Sequence, residues 1–295
     1  TVLHKGSSIN ASFDVAATDL LMAFTDMKPG YLGRLEGAFA LSSMDGSWRI
    51  QQFRLASAQT QLYQLDIGGE REDFNKINLV NVKATLSIRN PEALGNALNI
   101  DLSGISPWTS KGVLSTRGDT LVYQATGSLG STTRSTQLNG FLKDGKPHFT
   151  GKMEIPVLYL KDFGYGSEPV QKAVTPALSK PDKNYIFSRE PLDVSLLKHF
   201  NLDFDLLIDQ VESRGDLSID SVNGKIKVLD GKLGVSPLKM VFEDGQMDVR
   251  FNINANGVPA YNLTVLGDDI VLGPLMAQVQ DDVPITGYSN LDVDL

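Results

Sequence analysis

Ser195 and Lys198 lie three residues apart in the run Ser-Leu-Leu-Lys, a spacing at which a lysine amine can take the proton of a serine hydroxyl for acyl transfer. Enzymes built on that pair also carry Lys-Thr-Gly and Ser-Asp-Asn elements, and neither occurs in this chain. The three histidines, His4, His148 and His199, are far apart, and none stands in a His-Glu-x-x-His spacing. An isolated histidine such as His148, in the strand-like run KPHFTGK, is far more often structural than catalytic. Asp203 and Asp205 alternate with apolar residues, as on a solvated strand face, and no Asp-x-Asp-x-Asp-Gly calcium loop is present. Asp268 and Asp269 precede a helical patch, where carboxylates suit the positive end of the dipole, and Asp281 and Asp282 fall in a loop. Gly127 and Gly130 belong to no phosphate-cradling pattern. With no cysteine there is no thiolate nucleophile, no cysteine-bound zinc and no disulfide scaffold. These residues compose no catalytic set and imply no cofactor, so the expectation is a protein that is not an enzyme.

The elements around these residues read as strands. From Val80 to Arg89 the apolar positions are Val80, Val82, Ala84, Leu86 and Ile88, and every residue between them is polar. From Asn201 to Asp209, Leu202, Phe204, Leu206 and Ile208 share one face. The run from Lys225 to Ile253 continues the pattern with Ile226 and Val228, Leu233 and Val235, Leu238, Met240 and Phe242, then Met247, Val249, Phe251 and Ile253. Alternation with one wet face predicts antiparallel sheet rather than parallel sheet buried on both sides. The segments run eight to ten residues, about 27–34 Å each at 3.4 Å per residue.

Asp45-Gly46, Asp144-Gly145, Asp230-Gly231 and Asp244-Gly245 supply the positive backbone angles of tight hairpins. Three of these turns follow related runs, LEGAFALSSMDG, LNGFLKDG and VNGKIKVLDG. The even gaps from Gly37, Gly140 and Gly224 to the next Asp keep the stripe facing one way. Short helical patches are expected in TDLLMAF, in NPEALGNALN (Asn90 as cap, Pro91 first), in LDVSLLKHF, and in DDIVLGPLMAQV through Leu272, Leu275, Met276 and Val279. Four prolines and no alternation mark 165–190 as a mobile loop or linker between residues 1–164 and 191–295. The last residues, TGYSNLDVDL, are still alternating, and the reading is of a piece of a longer protein.

Composition narrows the partners. A net charge of −8, with 27 Lys and Arg spread without a basic run, does not suit a nucleic-acid backbone. At 41% hydrophobic residues the chain is not disordered as a whole. No run approaches the roughly 20 apolar residues of a membrane-spanning helix.

In GSLGSTTRSTQLNGFLKDGKPHFTGKMEIPVLYLKDFG, Gly127 to Gly164, the order of elements resembles the AsmA-like family. There is a G-x-T element at Gly130 to Thr132, an LxG at Leu138 to Gly140, Pro147 with Gly151, and an IPxLxLxDxG-like run from Ile155 to Gly164. The second half is similar in its strand, Asp230-Gly231-x-Leu233, Pro237-Leu238 and the turn at Gly245. The resemblance implies a mainly β fold, an elongated, curled, taco-like groove of long antiparallel strands with a few short helices. It also implies a periplasmic location, with the full-length protein anchored in the inner membrane through a segment not present here. The implied function is phospholipid binding and transfer between inner and outer membranes in support of outer-membrane integrity, with other envelope proteins as further partners.

On that reading the lining would be Val80, Val82, Leu86, Ile88, Leu202, Phe204, Leu206, Ile226, Val228, Met247, Val249, Phe251 and Ile253. The pattern alone favours a closed protein core for these same residues, and the alternative is a non-enzymatic β-sandwich module that docks on another envelope protein.

Overall fold

The computed structural model describes residues 7–24, 30–44, 47–58, 60–71, 79–98, 100–164, 194–213, 218–242, 245–271 and 288–294. The chain runs through β1 (Ser8–Ala16), α1 (Ala17–Phe24), β2 (Arg34–Met44), β3 (Ser47–Ala58), β4 (Gln64–Arg71) and β5 (Leu79–Ile88). It continues through α2 (Pro91–Leu98), β6 (Trp108–Arg117), β7 (Thr120–Leu129), β8 (Thr132–Lys143), β9 (Lys146–Ile155) and the short β10 (Leu158–Tyr159). The second half holds β11 (Asn201–Ile208), the short β12 (Val211–Glu212), β13 (Ser218–Leu229), β14 (Lys232–Phe242), β15 (Gln246–Asn254), β16 (Ala260–Val271) and β17 (Tyr288–Asp294).

All seventeen strands of the described residues belong to one sheet, which is open and curled rather than closed into a barrel. From β1 to β9 each strand pairs antiparallel with the next. β11 then joins β9 in parallel, Asn201 to Ile208 running beside His148 to Ile155. A second antiparallel run follows through β11, β13, β14, β15, β16 and β17. The sheet is therefore continuous across the two halves, and residues 165–190, read as a linker, lie outside the described residues.

The turns form for the expected reason. Asp144 and Gly145 have φ of 53° and 75°, and Asp230 and Gly231 have 49° and 79°, so both central residues of each hairpin are left-handed. Asp45-Gly46 and Asp244 lie outside the described residues. α2 starts where its cap predicts: the Ala93 N–H donates to Asn90 Oδ1 at 3.0 Å, and Leu94 is buried beneath it. TDLLMAF falls within α1, and LDVSLLKHF contributes a single 3₁₀ turn, Ser195–Lys198. Asp268 and Asp269 belong to β16, with Asp269 at φ 52° in a bulge between Gly267 and Ile270. Ile270, beside the bulge, is 2% exposed. Residues 272–279, and Asp281 with Asp282, are outside the described residues.

Candidate functional site

Strand register carries single rows of side chains across the sheet, because residues paired directly on neighbouring strands project from the same face. One row crosses fifteen strands without a break: Phe13, Gly37, Leu55, Ile67 and Ala84 lead to Gly112, Ala125 and Thr136. From there it continues through Met153, Leu206, Gly224, Leu238, Val249, Val265 and Val293. Thr136 is the only member that is neither apolar nor glycine. At about 4.8 Å per strand the row is roughly 67 Å long. The row on the opposite face reads Lys111, Thr126, Ser135 and Glu154 over the same central strands, so the sheet has one greasy face and one wet one.

Those residues of the sequence-predicted lining whose side chains are described lie on the greasy face. Leu206 and Val249 belong to the row just traced. Val82, Phe204, Ile226 and Phe251 lie in the row on one side of it. Leu202, Val228 and Ile253 lie one row further out. Leu86 and Met247 flank the central row on its other side, with Ile88 at that rim. Val80 pairs with Glu70 at a register shift in β4, and its side chain is outside the described residues. Bulges keep the facing where the sequence skips a step. Val235 and Leu238 are three residues apart, yet both face inward because the register shifts across Ser236-Pro237.

Burial separates the rims of this face from its centre. At the rim of the Ile88 and Ile208 end, α1 and α2 cover Leu35 and Ile88 in one cluster with Leu94. At the same end Ile155, Ile208, Val211, Ile219 and Val222 form a second cluster. At the opposite rim the turn Ser195–Lys198 places Val194 and Leu197 against Ile253, Leu233 and Phe251. Between the rims, every central-row residue from Leu55 to Val265 is only half-buried. A second sheet packed on this face would shut such side chains from solvent, as in a sandwich core. Among the described residues no large side chain is fully enclosed. The face is a trough rather than a filled core.

The lining that sequence reasoning missed comes mostly from β1 to β8: Phe13, Phe39, Phe53, Leu55, Ile67, Tyr123 and Leu138. Their strands carry Gly and Ala at intervening lining positions, so the apolar stripe is diluted. The glycines of the three related runs, Gly37, Gly140 and Gly224, all prove to sit on the trough face. Phe13, Phe149 and Leu238 respectively fold over them. That signal was present as an even spacing but pointed to no role.

The most buried acid is structural. Asp162 is 3% exposed; its Oδ2 accepts the N–H groups of Ser131 and Thr132 at 2.8 Å and the Thr132 hydroxyl at 3.0 Å. Its Oδ1 accepts the Ser106 hydroxyl at 3.0 Å. Burial opposes its ionisation, but the Thr132 amide and hydroxyl, the Ser106 hydroxyl and the Ser131 amide together outweigh it and hold the carboxyl below its ordinary value. Gly130, at φ 55°, has no room for a Cβ beside this carboxylate. The Gly130–Thr132 element and the Asp162–Gly164 end of the Ile155 run are thus two parts of one clasp.

The remaining polar candidates are also held in place. His148 stacks on Phe141 and shares a 3.2 Å hydrogen bond with Asn201, which accepts the Asp230 N–H at 2.9 Å. Asp203 and Asp205 both pair with Lys225 on the wet face and raise its pKa. A hollow of about 940 Å³ lies mainly on the wet face of β1 to β5, where Arg54 is bound by Asp66 at 2.6 Å. His4 lies outside the described residues, and so does the side chain of Ser195. Among the described residues, no cluster of three or more His, Cys, Asp or Glu could hold a metal ion, and no helix is long and apolar enough to cross a membrane. No protein-family model, curated protein or solved structure matches the chain.

Proposed function

We propose that the chain is part of a lipid conduit, a trough that takes the acyl chains of phospholipids against its apolar face and lets them pass along the strand-crossing rows. The observation that carries this reading is the fifteen-strand row, apolar throughout save Thr136 and half-exposed over its centre. An acyl chain in water costs about 0.8 kcal/mol per CH₂, so a sixteen-carbon chain costs on the order of 12 kcal/mol. A continuous apolar face replaces that water at every step, and no bond has to break. The wet face keeps the outside soluble. The resemblance to the AsmA-like family supports a periplasmic setting between the two membranes, with the full-length protein anchored in the inner membrane.

The test is mass spectrometry of the protein purified without detergent, alongside the variants Phe204→Asp and Phe251→Asp. The expected outcome is phospholipid that co-purifies with the wild type and is lost from both variants while their circular dichroism is unchanged. A wild type that arrives lipid-free and takes up no added phospholipid would favour the docking-module alternative and end the conduit reading.

A further inference from the structure

Arg134 is the one charged residue among the described side chains of the trough face. Register places it there: on β8 it pairs with Gly127 of β7, which pairs with Ser110 of β6, which pairs with Leu86 of β5. Its side chain crosses the bare backbone of Gly127, where a Cβ would lie 3.4 Å from Nε and would strike the Thr109 carbonyl. The guanidinium ends over the Trp108 ring, 5.1 Å from its centroid. Arg134 is half-buried, and among the described residues no carboxylate or hydrogen-bond acceptor meets it. Ser110 and Thr136 bring hydroxyls to adjoining positions on the same face. The apolar lining thus has a notch of small and polar groups around one unneutralised cation, close to the rim clasped by Asp162.

A guanidinium is always charged and is poorly served on an apolar surface without a counter-ion. Stacking on Trp108 offsets part of that cost and fixes the planar fork. The group that completes such a site is an oxyanion with two acceptors, which arginine binds through two parallel N–H bonds. We propose that Arg134 holds the anionic headgroup, phosphate or carboxylate, of an amphiphile whose acyl chain lies along the neighbouring apolar row. The notch gives the trough a preference by charge at one station along its length. This assignment rests on the conduit reading.

The experiment titrates the full chain at pH 8 with cis-parinaric acid and with its methyl ester, two fluorescent probes that share a chain and differ in charge. The wild type is expected to bind the acid about tenfold more tightly than the ester. Arg134→Gln should remove that difference and leave the ester within about twofold of wild type, while Arg134→Lys keeps part of it. Leu206→Asp should weaken both probes alike. Inorganic phosphate at high concentration should leave ester binding unchanged and displace little of the acid. Its complete displacement of the acid's advantage would make this a site for a free anion and overturn the assignment. Equal binding of acid and ester by the wild type, or a preference that survives Arg134→Gln, also overturns it while the conduit stands. Failure to bind either probe overturns both.

Discussion

The strands β5 to β8 and the strands β11 to β15 build the same face by different means. Along the central row the first group presents Ala84, Gly112, Ala125 and Thr136, and the second presents Leu206, Gly224, Leu238 and Val249. Large side chains hold the second group together at both rims through apolar clusters around Ile208, Val222 and Ile253. In the first group the apolar cluster takes in Leu86, Ile88 and Trp108 of β5 and β6, while the end of β7 and the start of β8 are fastened by the hydrogen bonds of Asp162. Where a trough needs room, its walls are tied by polar groups outside the lining; where it can be crowded, the lining ties itself.

The largest expected effect tests the polar tie. Asp162→Ala leaves two backbone N–H groups and two hydroxyls without their acceptor and should cost about 3 kcal/mol. Because the folded pKa of Asp162 is lowered, the stabilisation is present above its unfolded value, near 3.9, and is lost as pH falls through the folded value. Urea melts at pH 7 and pH 3 should therefore show a variant penalty that shrinks in acid. A penalty under about 1 kcal/mol at pH 7 would mean that the small-lined region is held by something else.

A paired substitution comes next. Leu238→Ala removes a side chain packed on the Ile208 cluster and should cost about 2 kcal/mol. Ala125→Leu adds one to the open centre and should change stability by less than about 1 kcal/mol while reducing acyl-probe uptake. If Ala125→Leu proves the more damaging of the two, the centre is a packed core and the contrast between the regions fails. The smallest effect is expected at Lys225, whose partners Asp203 and Asp205 are themselves solvated. Lys225→Met should shift the melting temperature by no more than the scatter of replicate melts, and a clear loss would give the wet face a structural weight denied to it here.

Legibility in the sequence follows the same divide. β5 and β11 were readable because large apolar residues alternate strictly with polar ones, and their bounds match the expected runs to within a residue. The cap at Asn90 and the Asp-Gly turns were readable because their chemistry is local. β7 and β8 hid their lining, since Ala125, Gly127 and Thr136 carry little hydropathy and Arg134 breaks the stripe outright. The Asp162 clasp was invisible because its acceptor and donors are 30 residues or more apart. Bulges at Ser236-Pro237 and at Gly267 to Ile270 shift facing by one residue, which only the partner strand reveals.

The parallel junction between β9 and β11, where the two antiparallel runs meet, sets how the chain must come together. Every other ladder of the fifteen-strand run joins strands consecutive in the sheet order through antiparallel pairing, and most of these are hairpins whose contacts form early and close short loops. At the junction, His148 meets Asn201 across 53 residues, and that closure must be made before its own bonds repay it. The two meanders can therefore assemble as separate local units, and the sheet becomes one when β11 finds β9. Mutations along that seam, Phe149 with Leu202 or Ile155 with Ile208, are the ones expected to slow folding more than they speed unfolding.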